Sequence, residues 1–377
     1  MSDYRIGSVF GFEIRIDVSW FVIFFLIFWS LAEAVFPGQF PELGRGVHAA
    51  MGLAGTVLFF ASLIAHELSH ALVSRTRGVP VEGITLFLFG GIARARREPD
   101  SARDELLIAG VGPLTSIALA IVFWAVAWAG RAAGMHPALW GVADYLAFIN
   151  LVLAAFNLLP GFPLDGGRVF RAIVWSVSGD RLKATRWAAG GGRWLGTFLI
   201  VLGAVQALGG ATISGLWLVF IGWFLRGLAG STLEREMLQR LLKGWRAEDI
   251  MSRSPEVVSR DLSLEELVSD HFLRLRFGGY PVVHGDTLVG LVTLEDVKRV
   301  PRERWTNVAV AEVMTPLSAC TVVTPYASLE SVLEGVGRQE RRGRALVVDG
   351  ERLVGIISAS DVALWMRRAR AVEELVE

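Results

Sequence analysis

Leu63-Ile64-Ala65-His66-Glu67-Leu68-Ser69-His70-Ala71-Leu72 lies near the end of an apolar run that begins at Val47. On a helix, His66 and His70 stand one turn apart on one face, so both imidazoles can reach one zinc ion, and Glu67 beside them can take a proton from water held there. Two histidines and a carboxylate inside a membrane-length segment are costly unless they do chemistry. A metal hydrolase therefore fits this stretch better than histidines merely satisfied in a core.

The rest of the composition fits a membrane setting. Over 377 residues, 53% are hydrophobic and the mean hydropathy is +0.48, above the usual apolar share of soluble domains. Charged residues gather after about position 234, which predicts a soluble tail behind a membrane domain. The formal net charge is zero, so no basic excess points to nucleic acid. The single Cys320 excludes an internal disulfide framework and fits a reducing compartment for the tail. Glu13 and Asp17 precede the first apolar run, so no cleavable signal pattern is expected there and the run should stay as an anchor.

Phe12, Ile14, Ile16 and Val18 alternate with Glu13, Arg15 and Asp17, a period of two that predicts a strand folded back on residues 6–10 at Gly11. Six apolar stretches follow, at 18–36, 47–73, 106–129, 140–159, 187–208 and 212–228. Each approaches the length of about 20 residues that a spanning helix needs. The last two, joined by Gly209-Gly210, could also form a helical hairpin only partly in lipid. The first and third links carry only Arg45 and Arg131, and the fifth carries no Arg or Lys. The second carries Arg75, Arg77, Arg94, Arg96, Arg97 and Arg103, and the fourth Arg168, Arg171, Arg181, Lys183 and Arg186. The positive-inside rule then places those two loops and both termini in the cytoplasm. His66 would sit about 13 Å inside that boundary on a straight helix.

Residues 79–94 are too short for a span and rich in strand formers around Gly90-Gly91, which predicts a re-entrant hairpin beside the site. Its edge could pair with an unwound substrate by strand addition, or the hairpin could only shield the metal from lipid. Gly110, Gly112 and Pro113 in the third span suggest close packing against the His66 helix.

A catalytic zinc takes three protein ligands and keeps a fourth position open. After the fourth span, Asn157-Leu158-Leu159-Pro160-Gly161-Phe162-Pro163-Leu164-Asp165-Gly166-Gly167 must break a helix at membrane depth, and Asp165 is its one carboxylate. Taken alone, Asp165-Gly166 reads as a turn or helix cap; beside a two-histidine site short of a ligand, it reads as the third ligand. His48 and His136 fall at the opposite face, and His271 and His284 fall in the tail. Asn157 either orients a substrate carbonyl and its oxyanion or caps the broken helix.

Together these two constellations resemble the site-2 protease family of intramembrane zinc metalloproteases, over roughly residues 1–230. The resemblance implies His66, His70 and Asp165 as zinc ligands, Glu67 as catalytic base, and a transmembrane segment of a membrane-anchored regulator as substrate. Many relatives carry Asn where this chain has Ser116, a departure expected to touch a packing contact and not the zinc site.

Residues 231–244 read as a charged linker helix. Beyond it Gly290-Leu291-Val292-Thr293-Leu294-Glu295-Asp296 recurs as Gly355-Ile356-Ile357-Ser358-Ala359-Ser360-Asp361, and Leu264 and Leu288 match Leu329 and Leu353 at the same offset. Two copies of a βαββα unit, at 245–305 and 306–377, resemble a tandem pair of CBS domains. That resemblance implies an adenine nucleotide held by Thr293, Asp296, Ser358 and Asp361, or a homodimerisation module; each Asp could equally cap its helix. The expected fold is thus a polytopic α-helical membrane protein with about six spans and a re-entrant hairpin, plus a soluble α/β CBS pair, in the plasma or inner membrane. The alternatives are a CBS-regulated transporter, which could tolerate loss of Glu67, and a non-catalytic metal-binding scaffold.

Overall fold

Asp17 ends a strand and caps a helix, its carboxylate accepting from the Ser19 amide at 2.9 Å. The apolar residues behind it therefore enter a helix with no intervening loop. The computed structural model describes residues 3–87, 90–95, 97–275, 277–338 and 343–374. Two compact units, Met1–Glu236 and Met237–Glu377, divide the chain.

Among the described residues, six helical segments are long and apolar enough to cross a membrane. The first comprises α1 (Val18–Ser30), a π turn at Leu31–Val35 and α2 (Phe36–Gln39). The others are α3 (Arg45–Thr76), α4 (Ala102–Ala132), α5 (Pro137–Asn157), α7 (Arg181–Leu208) and α8 (Thr212–Leu242). Between α5 and α7 stands the shorter α6 (Asp165–Ser178). Ser101 caps α4 and Asp180 caps α7 through side-chain oxygens, which fixes where those helices begin. The charged linker expected over 231–244 is no separate element, because α8 runs unbroken to Leu242.

Both expected hairpins form, and they are joined. Strands β1 (Asp3–Val9) and β2 (Phe12–Asp17) turn at Phe10 and Gly11, which both have positive φ. Strands β3 (Val81–Phe87) and β4 (Gly90–Ala95) make the second hairpin, and β2 pairs in parallel with β3, matching Ile14 to Ile84 and Ile16 to Leu86. The sheet order is β1-β2-β3-β4. Gly90 and Gly91, around which the hairpin was expected, open β4, and residues 88 and 89 lie outside the described residues. Phe12, Ile84 and Leu86 form one buried cluster with Phe60, Leu63 and Ala71 of α3. This apolar face fixes the sheet beside the helix that carries His66 and His70.

The break at 158–164 is held by glycines. A Cβ on Gly161 would stand 2.5 Å from the Gly192 amide nitrogen, and α7 can lie against this segment only because both positions lack side chains. Gly166 and Gly167 let the start of α6 fold back against the carbonyls of Leu158 and Gly161 in the same way.

In the second unit the strands are β5 (Ser252–Arg253), β6 (Val258–Ser259), β7 (Gly279–His284), β8 (Thr287–Thr293), β9 (Thr315–Pro316), β10 (Thr321–Val323), β11 (Arg344–Asp349) and β12 (Arg352–Ser358). They form two sheets, β6-β7-β8-β9 and β10-β11-β12-β5. Each repeat therefore lends its short first strand to the other's sheet. Leu264, Val282, Val292 and Val297 fill one core, and Leu329, Val347, Ile357 and Val362, at the repeat offset, fill the other.

Candidate metal centre

α3 buries a stripe that includes Ser62, Leu63, His66, His70 and Ser74, so His66 and His70 point into the unit and away from lipid. At the first residue of α6, Asp165 meets them. Its Oδ2 lies 3.1 Å from His66 Nε2 and 3.1 Å from His70 Nε2, and the two Nε2 atoms are 3.2 Å apart. Three electron-pair donors packed this closely can share one cation. A tetrahedral zinc with bonds of about 2.0–2.1 Å separates its ligands by about 3.4 Å, so the donor set and spacing fit one zinc ion.

The other ring nitrogens are occupied. His70 Nδ1 lies 2.6 Å from the Ile108 carbonyl oxygen, to which it must donate, so its Nε2 keeps a free electron pair facing Asp165. His66 Nδ1 lies 2.9 Å from the fully buried Ser116 hydroxyl, which orients its ring likewise. Ser116 thus touches a candidate ligand directly, whereas the sequence suggested only a packing contact. Between Ile108 and Ser116 on the same α4 stripe, Gly112 lies against both Nε2 atoms: a Cβ there would stand 2.6 Å from that of His66 and closer to that of His70. Its spacing from Ile108 and Ser116, four residues each way, marks one helical face. That periodicity was the signal available in sequence.

Glu67 turns toward the sheet. A Cβ on Gly91 would stand 2.5 Å from Glu67 Cγ and 2.9 Å from its Cδ, so the start of β4 runs directly past this carboxylate. Asp165 and Arg168 are charged groups close enough to act on it, and His70 lies beside them. Asn157 is the half-buried last residue of α5, ahead of the break, and no side-chain partner is found for it among the described residues.

In the second unit, Thr293 and Ser358 cap the helices that follow them. The Thr293 hydroxyl donates to Asp296 Oδ2 at 2.7 Å and the Ser358 hydroxyl to Asp361 Oδ2 at 2.6 Å. The backbone amides of Thr293 and Ser358 donate to the same oxygens. Ser252 of the exchanged strand β5 donates to the other Asp361 oxygen at 3.3 Å. All four residues are thus engaged in capping boxes.

Residues 54–135 and 129–202 match Peptidase family M50, and residues 247–303 and 310–368 each match the CBS domain. The zinc metalloprotease Rip3 of Mycobacterium tuberculosis is 37% identical over 95% of this chain and 91% of its own length. A zinc metalloprotease of Methanocaldococcus jannaschii is 30% identical over 85% of this chain and 86% of its own. Among solved structures, the site-2 protease of Methanocaldococcus jannaschii aligns with 62% of this chain and 95% of its own, at 26% identity and a TM-score of 0.43. The chain belongs to Peptidase family M50, the site-2 proteases, as a multi-pass membrane zinc metalloprotease that ends in two CBS domains.

Proposed function

We propose that the protein hydrolyses a peptide bond within or near a transmembrane segment of a membrane-anchored regulator. The observation that carries this reading is the cluster of His66, His70 and Asp165, spaced for one zinc, between α3, a helix long and apolar enough to cross a membrane, and the first residue of α6. These three residues would hold the ion. When bound, zinc acidifies water and polarises the scissile carbonyl. Glu67 takes the proton of the attacking water on its carboxylate and returns it to the leaving amine nitrogen. Ile108 and Ser116 keep the imidazoles in the tautomer that binds metal through Nε2. Asn157 is the proposed donor to the carbonyl oxygen.

A helical substrate carbonyl is hydrogen-bonded and shielded, so the substrate must unwind first. β3 has β2 on one side and β4 on the other, which leaves β4 as the edge available beside Glu67. An unwound segment added along β4 would reach the base in extended form. The arginine-rich links favour a cytoplasmic side for both termini, and the CBS pair there would act as a nucleotide-sensing or dimerising module, with Thr293, Asp296, Ser358 and Asp361 as its proposed contacts.

The test is cleavage of candidate single-span proteins by the purified protein in detergent, with zinc content measured on wild type and Glu67→Gln. Glu67→Gln should keep zinc and lose cleavage by about 10²- to 10⁴-fold. Undiminished cleavage by this variant, or a wild type that holds no zinc, would overturn the reading.

A further inference from the structure

Arg171 of α6 is 3% exposed and Glu105 of α4 is fully buried. The Arg171 Nε donates to Glu105 Oε1 at 2.7 Å, and its Nη2 contacts the same oxygen. The guanidinium also reaches Glu98 at 3.1 Å and Glu236 of α8 at 3.5 Å, and lies 5.0 Å from the ring centroid of Phe162 in the break before Asp165. Arg181 joins from α7, pairing with Glu236 at 3.2 Å and with Glu98. One side chain therefore ties together α6, α4, α8 and the break.

A buried ion pair is weak evidence for stability, because apolar residues of equal volume often serve as well. What apolar contacts lack is direction. Glu105, Ile108, Gly112 and Ser116 lie along one stripe of α4. The last three contact the imidazoles, and the first holds Arg171. Arg171 lies about 9 Å along α6 from Asp165, and Glu105 about 10 Å along α4 from Gly112. The ionic clamp thus joins α6 to α4, and the metal cluster joins α6 to the imidazoles of α3 that rest on the same face of α4, at matching spacing.

We propose that Arg171 is a positioning residue of the metal centre: by fixing α6 against α4, it holds Asp165 at bonding distance from His66 and His70. This rests on the ligand assignment given above. Because Glu236 also holds this guanidinium, the position of α8 bears on the same contact.

The test compares the full-length wild type with Arg171→Met, Arg171→Lys and the double variant Arg171→Met/Glu105→Gln. The single Met variant leaves Glu105 buried and unpaired, which can itself unfold the protein. The double variant removes both charges and should keep the thermal melt of the metal-free protein close to wild type. Zinc release to a chelator and the visible spectrum of the cobalt(II)-loaded protein are then read, neither of which needs a substrate.

The double variant should release zinc at least ~10-fold faster and show an altered cobalt band, as loss of an outer-shell support does elsewhere. Arg171→Lys, which keeps the charge but not the fork, should fall between. A folded double variant with wild-type zinc release and cobalt spectrum would overturn the proposal. A wild type that binds neither metal would instead overturn the ligand assignment, and this inference with it.

Discussion

Gly112→Ala tests the centre by adding one methyl group. The new Cβ would stand 2.5 Å from His70 Cε1 and 2.6 Å from His66 Nε2, and closer still to His70 Nε2. Relief requires the rings to retreat by something on the order of 1 Å, several times the ±0.2 Å within which metal bond lengths are held. Backbone propensity runs the other way, since Ala is favoured over Gly inside a helix by about 1 kcal/mol. α4 should therefore persist while the ligands are displaced. A misplacement of that size costs about 10²-fold in rate, or about 2.7 kcal/mol at the transition state. The assay is zinc content after dialysis against graded chelator, together with cleavage and a thermal melt of the metal-free protein. The expected result is a melt near wild type with zinc lost at much lower chelator concentration. A variant that holds zinc and cleaves as wild type would refute the close approach of α4 to the imidazoles.

Ser116→Ala removes the partner of His66 Nδ1 and should weaken zinc binding by about 10- to 100-fold, measured by competition with a chelator; unchanged affinity would show that Ser116 only fills space. Gly91→Ala puts a methyl 2.5 Å from Glu67 Cγ and should cut cleavage by about 10²-fold while zinc content stays at wild type, separating the base from the ligands. Equal loss of zinc and activity would place Glu67 among the metal's supports. Glu98 lies in the loop before α4, where burial opposes its ionisation but Arg171, Arg181 and Arg168 outweigh it and hold its carboxyl below the usual glutamate range. Such a group adds stability above its unfolded-state pKa and loses it as pH falls through the folded-state value, so Glu98→Gln should flatten the acid limb of thermal stability. Glu105, which faces Arg171, and Glu236, which faces Arg171 and Arg181, are unchanged in this comparison, so an acid limb superimposable on wild type would remove Glu98 from the account.

The helix positions were legible because hydropathy is a local property. The α3 segment and the stretch between Asn157 and Asp165 carry their meaning within ten residues or so, as do the repeats whose buried positions recur at one offset. The pairing of β2 with β3 was not legible in this way. Alternation in 12–18 and strand formers in 79–94 identify strands, but neither names a partner, and these strands are separated in sequence by α1, α2 and α3. That pairing changes the test of strand addition. The direct test, proline at Leu86 or Leu88 to block a substrate strand, is ruled out at Leu86, which is 1% exposed and pairs with Ile16 on one side and Gly91 on the other, so proline there would break the sheet itself. Leu88, the other such position, lies outside the described residues. Any interference with substrate pairing has to be made on β4.

The supports of the metal were hidden for a different reason. The Ile108 carbonyl is a backbone group with no residue-type signature, and Gly112 signals close packing against the His66 helix without naming the imidazoles it lies against. Arg171 was visible only as one positive charge among those from which a cytoplasmic loop was expected. A charge count gives the side of the membrane, and for that purpose Arg168, Arg171 and Lys183 are equivalent. The structure separates them, because Arg171 alone of the three is buried, and its carboxylates come from 98, 105 and 236, positions that no local pattern connects. An arginine retained for orientation needs no partner, since the headgroup region hydrates it. One enclosed by three carboxylates has given up that hydration, which is tolerable only if its bonds are made in a fixed geometry. The same geometry sets the separation of α6 from α4, and therefore of Asp165 from the imidazoles.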